Sequence, residues 1–269
     1  MAVSSAASQY LSKFGDQSIA CNQYALTKLG VDKGCFLKIE DYTILCAPFQ
    51  IGFKRSLFLA SLSKQELTFF QRYINGIVGL SIAFLPPGRK SIEPIKFFIR
   101  CTLSAIGPMK GRENVGLFAL DYKASPDELI MMLGKFLEHQ EQIKLQYEDY
   151  GTNLIRMTPE VAKAIGYNLY GTVTEPNVNP KRIQVYNIST KTLEHLEAAG
   201  RIMRPVGTPL AFQLFFKKYR VSAAGSVVSS DMLPHNIART VSSLSLSPEL
   251  VEIIDDYWYE TRVNQGQKT

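Results

Sequence analysis

Three histidines, four cysteines and a few neighbouring carboxylates are the residues of this 269-residue chain suited to covalent or acid–base chemistry. Their spacing argues against each familiar use. His139, His195 and His235 form no HExxH and no i, i+4 pair, so the helix of a zinc protease is excluded. His195 and Glu197 are two residues apart, and on the helix expected there such side chains diverge. There is no GxSxG elbow and no P-loop, and Gly107 with Gly111 does not complete a dinucleotide fingerprint. Asp121, Asp127 and Glu128 read as turn and cap residues, and Asp255 and Asp256 as the flank of a helix. Cys21, Cys35, Cys46 and Cys101 contain no CxxC. They read as buried apolar thiols in a reducing compartment rather than as a zinc ribbon. The expectation is a protein that is not an enzyme and holds no metal or other cofactor. One stretch, Phe215-Phe-Lys-Lys-Tyr-Arg220, interleaves rings and cations as a nucleic-acid stacking platform does. A strand with one buried face explains it more simply, so nucleic acid is not the expected partner.

The elements that position these residues are short. β-like runs at 35–39, 43–47 and 56–59 are punctuated by Gly, Asp and Pro. Ser63-Lys-Gln-Glu66 is a capping box that starts an amphipathic helix through Leu67, Phe70, Tyr73 and Ile74. Strands follow at 78–84, 96–106 and 115–122, with turns at Gly76, Pro86-Pro87-Gly88 and Gly107-Pro108. Ser125-Pro126-Asp-Glu128 then opens a helix with the cap, the proline and the acids placed for its positive end. The second half repeats the order. Thr158-Pro159-Glu160 starts a helix, strands are expected at 169–174, 183–186, 206–219, 221–228 and 240–244, and Ser247-Pro248-Glu249 starts the closing helix. Residues 190–199 read as a short helix closed by Gly200.

Two halves therefore carry one pattern. Ser63 matches Ser189, Val78 matches Val206, Arg100 matches Arg220 and Ser125 matches Ser247, at offsets of 120 to 128 residues. A repeat of this length fixes architecture before any single residue does. With 46% hydrophobic and 20% charged residues, each half has enough apolar material for its own core. The expected domains are 17–145 and 150–262, with residues 1–16 and 263–269 as flexible tails. The fold class is β-rich α+β: two small antiparallel barrels, each ending in a C-terminal helix. A net charge of +6 permits an anionic partner without demanding one. The N-terminal residues lack a signal-peptide pattern, and no apolar run spans a bilayer, so a cytoplasmic protein without membrane insertion is expected.

Val115-Gly-Leu-Phe-Ala-Leu120 followed by Ser125-Pro126 resembles the closing strand and helix of the PilZ family, and Asn187-Ile-Ser189 resembles the start of its [Asp/Asn]-x-Ser-x-x-Gly motif. The resemblance spans most of 40–140 and 165–260. It implies tandem PilZ-like barrels in bacterial cyclic di-GMP signalling, acting without catalysis through contacts with another protein such as a motility or envelope component. It places nucleotide contacts at Asn187 and Ser189, with Arg156 in the lead-in, and Arg182, Arg201 and Arg204 are nearby cations that could serve as the phosphate clamp. The family's Arg-x-x-x-Arg pair is absent: Arg156 stands alone in that lead-in, with Lys163 further on. Thr192 stands where the motif has Gly, and the first half has Ser61 and Ser63 with no Asp or Asn. Two guanidinium forks clamp phosphates and stack on guanine, which lysine does poorly.

The departures leave a second reading open, a PilZ-derived interaction module that binds no nucleotide. Its contact surfaces would be Phe69, Phe70 and Tyr73, and the stripe of Met131, Met132 and Phe136. On that reading Asn187 and Ser189 cap the local turn rather than a ligand.

Overall fold

The computed structural model describes residues 5–31, 34–85, 93–198, 203–217 and 220–266. The turn expected at Pro86-Pro87-Gly88, Gly200 and Arg201 lie outside them. The chain divides into two compact units, 1–139 and 140–269.

The first unit opens with α1 (Ser5–Phe14), β1 (Ser18–Ala20) and α2 (Gln23–Leu29). Neither helix follows from the reading above, which expects a mobile lead-in up to residue 16. Ala7 and Phe14 are fully buried, and the ring of Tyr10 occupies the space that a side chain at Gly134 would need. Apolar burial thus holds α1 in place, and burying one Phe contributes about 1.5–3 kcal/mol. α2 is bounded by local chemistry. The Asn22 side chain accepts from the Ala25 amide, and Gly30 closes the helix in the left-handed region.

Six strands follow: β2 (Cys35–Ile39), β3 (Tyr42–Gly52), β4 (Arg55–Ser61), β5 (Ile77–Phe84), β6 (Ile95–Pro108) and β7 (Val115–Tyr122). All pairings are antiparallel, in the order β3-β2-β5-β6-β7-β4, and a β3–β4 pairing closes the barrel, with β1 added to β3. Phe58, Phe118, Leu80, Ile99 and Leu120 fill the interior at 1% exposure or less. Between β4 and β5, α3 (Lys64–Gln71) carries the expected capping box of Ser63 and Glu66. Phe70 is buried and Phe69 and Tyr73 pack on the core, with Tyr42 edge-on to both phenylalanines. Met131, Met132 and Phe136 of α4 (Asp127–Asp149) pack on the same core. Both stripes proposed as contact surfaces are therefore core. Before α4, the Ser125 hydroxyl donates to the Phe53 carbonyl. Burial pushes the thiols of Cys21, Cys46 and Cys101 up to about 12, which keeps them protonated.

The second unit repeats the first ladder by ladder. After β8 (Ile155–Arg156) and α5 (Pro159–Ile165) come β9 (Tyr167–Thr174), β10 (Lys181–Ile188), β11 (Thr192–Ala198), β12 (Pro209–Phe216), β13 (Arg220–Leu233) and β14 (Ile237–Leu244), then α6 (Pro248–Gly266). The order β11-β14-β13-β12-β9-β10 closes through β10–β11, and β8 adds to β10 as β1 adds to β3. α6 continues beyond Val263, where a frayed tail is expected. The short helix expected over 190–199 is β11. Ser189 turns the chain, its hydroxyl accepting from the amides of Lys191 and Thr192. The strand then pairs on both edges, which a helix cannot do.

This topology shifts the alignment of the halves. β4 corresponds to β11 rather than to β10, and the partner switch of β3 at Ala47 corresponds to that of β10 at Gln184. The register disruption between Pro48 and Gln50 recurs between Val185 and Asn187. The offset is therefore 137 residues here and 122 at β7 and β14.

His195 on β11 faces the second core, edge-on to Phe212, fully buried and with neither ring nitrogen hydrogen-bonded among the described residues. Burial, and then the charge of Arg204, lower its pKa from 6.5 to about 3. The unfolded chain takes up a proton below about pH 6.5 that the folded barrel refuses until about pH 3. Stability then falls on acidification through that window, by up to about 1.4 kcal/mol per pH unit. Urea unfolding of the wild type and His195→Leu between pH 7 and 5 checks this: the wild type should lose stability more steeply, and parallel losses would remove His195 as the cause.

Candidate functional site

The outer wall of the second barrel carries three of the six residues selected from the sequence, Arg156, Arg182 and Asn187. β8 lies beside β10, with Arg156 opposite Asn187, and β10 lies beside β11, with Asn187 opposite Glu194. β14 lies next, with Arg239 opposite Leu196. Along this wall Asn187 Nδ2 donates to Glu194 Oε2 at 2.6 Å, and Arg239 Nε donates to Glu194 Oε1. That carboxylate is 5% exposed, so its two partners satisfy a charge that would otherwise be buried alone.

Two arginines remain uncommitted. Arg156 and Arg182 are exposed, and neither has a carboxylate partner among the described residues. Each guanidinium lies over a tyrosine, Arg156 at 4.7 Å from the ring centre of Tyr186 and Arg182 at 5.5 Å from that of Tyr170. Such stacking orients the fork at low entropic cost and leaves its N–H groups for an anion. Arg182 also lines a groove of about 580 Å³ with Met157, Leu169, Gln184, Leu196 and Ile237. That volume lies in the range of about 300–1,000 Å³ usual for small-molecule sites. Its walls are largely apolar, with Arg182 as the cation among the lining residues and Glu197, already paired with Arg204, as the carboxylate.

The remaining predicted residues are otherwise employed. Ser189 is fully buried: besides accepting the two turn amides, its hydroxyl donates to the Gly151 carbonyl at 2.8 Å. Its motif position is structural, which corrects its assignment as a ligand contact. The correction is the same for Arg204. Its side chain is 7% exposed and is clamped by both oxygens of Glu197 and, at 2.7 Å, by Glu175. A guanidinium buried between two carboxylates is not available to a phosphate. Arg201 lies outside the described residues. Among the described residues no cluster of His, Cys, Asp and Glu could hold a metal ion, and no helix is long and apolar enough to cross a membrane.

Tyr186, Glu194 and Arg239 belong to this wall and are not singled out by sequence. Tyr186 had a signal, being next to Asn187 in the motif strand. Glu194 and Arg239 are 45 residues apart in sequence, and only the strand register brings them together.

The first barrel supplies a control. At the positions of Arg156, Arg182, Glu194 and Arg239 it has Ala20, Leu45, Leu57 and Leu117, as the matching ladders show. Its wall lacks every charge of the second.

These features define a duplicated PilZ-like barrel protein with one polar wall. The PilZN3 domain family matches residues 5–140, and the chain belongs to that family. No curated protein matches it. Among solved structures it is similar to the PlzA protein of Borreliella burgdorferi in complex with c-di-GMP, at 15% identity, covering 93% of this chain and 97% of that one with a TM-score of 0.45. It is also similar to the inhibitor of motility MotI/DgrA of Bacillus subtilis, at 9% identity, 87% and 98% coverage and a TM-score of 0.31. A third is YcgR of Escherichia coli in complex with c-di-GMP, at 10% identity, 91% and 89% coverage and a TM-score of 0.28.

Separating clamped from free arginines gives a direct test. Arg204→Ala leaves Glu197 buried without its cation and should cost about 3–5 kcal/mol. Arg182→Ala should stay within about 0.5 kcal/mol of the wild type. Urea midpoints compare the two, and equal midpoints would contradict the division.

Proposed function

We propose that this protein is a non-enzymatic cyclic di-GMP receptor whose single nucleotide site is the outer wall of the second barrel. The observation that supports the reading most is the pair of exposed, carboxylate-free guanidiniums of Arg156 and Arg182, each laid on a tyrosine beside the motif strand. Cyclic di-GMP presents two phosphates and two flat guanines, and a stacked arginine matches both kinds of group. In this reading Arg156 and Arg182 replace the family's missing arginine pair. Tyr186 is a stacking surface and Asn187 is held in place by Glu194. The motif serine sets the β10–β11 turn that presents them. The apolar wall of the first barrel supports a division of labour, with the first PilZN3 barrel serving protein contacts, for instance to a motility component.

Titration calorimetry with cyclic di-GMP at low salt tests this. Heat is expected from the whole chain. Arg156→Ala and Arg182→Ala should each weaken binding at least tenfold, since a charged hydrogen bond contributes about 1.5–3 kcal/mol. Absence of heat at high micromolar nucleotide would leave the nucleotide-free interaction module as the reading. That alternative is favoured by one observation, that Ser189 and Arg204 are both committed to the fold.

A further inference from the structure

A second face of the second barrel, spread over β10, β9, β12 and β13, is built from rings, guanidiniums and uncharged polar groups. The ladders set Arg182 opposite Thr172, Thr172 opposite Gln213, and Gln213 opposite Ser222, one continuous row across four strands. At about 4.8 Å between strands the row is about 14 Å wide. Alongside it, the rings of Tyr170 and Phe215 lie 5.2 Å apart. Arg220, opposite Phe215, places its guanidinium 5.5 Å from that ring centre and donates to Gln213. Tyr170 is 43% exposed and Arg220 is exposed, while their neighbours Leu214 and Phe216 on β12 point into the core.

The charge pattern is one-sided. β9, β10 and β12 contain no Asp or Glu at all, and the first acid on β13 is Asp231, beyond this face. Among the described residues Arg182 and Arg220 have no carboxylate partner, although elsewhere in the same barrel Arg204 and Arg239 have been given carboxylates. Lys181 and Lys217 flank the face at strand ends and are exposed. Tyr170 is exposed and Phe215 half-buried, so the pair presents ring surface at the outside of the barrel beside these cations.

We infer that this face binds single-stranded nucleic acid. Bases of any sequence stack on rings or on guanidinium planes, while the cations follow the backbone phosphates. Thr172, Gln213 and Ser222 offer hydrogen bonds to sugar and base edges without adding negative charge. An acidic peptide would use the cations but not the rings, and a duplex hides its base faces, so neither accounts for Tyr170 and Phe215. The inference shares Arg182 and the Tyr170 ring beneath it with the cyclic di-GMP reading and is otherwise independent of it; the test leaves Arg182 unaltered, and Phe215 and Arg220 belong to this face alone.

Fluorescence anisotropy of the full chain with a labelled single-stranded oligo-dT and its oligo-U counterpart, at several salt concentrations, tests the inference. Binding is expected below about 100 µM protein at low salt, weakening as salt rises. Tyr170→Ala with Phe215→Ala should weaken it at least tenfold, and Arg220→Gln should reduce the salt slope by about 0.7. The circular dichroism spectrum and the urea midpoint of the double variant report whether the folded barrel survives. No anisotropy change with either strand overturns the inference. It is also overturned by equal affinity for a duplex of the same length, by polyglutamate competing as well as oligo-dT, or by binding unchanged in the aromatic variant.

Discussion

A closed barrel requires each strand to have a partner on both edges, and in both units one strand meets this by changing partner midway. β10 pairs with β9 up to Ile183 and with β11 from Gln184 onward, and β3 does the same between β2 and β4. The switch has a steric consequence. The register slips between Val185 and Asn187, so alternation fails for one residue and Tyr186 and Asn187 both leave the core side. The ring under Arg156 and the amide bonded to Glu194 are products of that slip. A strand in perfect alternation would bury one of them.

Ion pairing divides the arginines of the second barrel into two kinds. Arg204 and Arg239 have each been given carboxylates, Arg204 in a nearly dry setting where removing one partner strands the other. Arg156, Arg182 and Arg220 lie on rings instead. A ring orients a guanidinium without neutralising it, so the local potential stays positive where an anion can approach. The Asn187–Glu194–Arg239 chain fixes one polar group between those free cations.

Much of the architecture is legible locally. The strand at 115–122 and the Ser63–Glu66 capping box are written in consecutive residues, and the duplicated order of elements follows from turn signals. Residues 190–199 mislead because Thr, Lys and Glu followed by Leu and Ala suit an exposed helix, while the hydroxyl of Ser189 and the two flanking strands decide otherwise. α1 is missed since its packing depends on residues far along the chain: the ring of Tyr10 lies against Gly134, more than a hundred positions away. The site is legible by half for the same reason. Asn187 can be picked from a motif position, Arg156 from its lead-in and Arg182 as a nearby cation. Sequence shows neither that Arg204 and Ser189 are consumed by the fold nor that Glu194 meets Arg239, because both depend on cross-strand register and burial.

Ring closure also decides how each barrel behaves among its own copies. The strands appended to the rings are short, three residues in β1 and two in β8, and so short an edge is a poor template for pairing with another chain. A scaffold of this kind tolerates rapid exchange of its outward-facing residues, since new side chains on a closed wall do not expose a ladder for fibre growth. Two copies within one polypeptide were thus free to drift apart in surface chemistry, one towards leucine and the other towards arginine, while the backbone beneath them stayed the same.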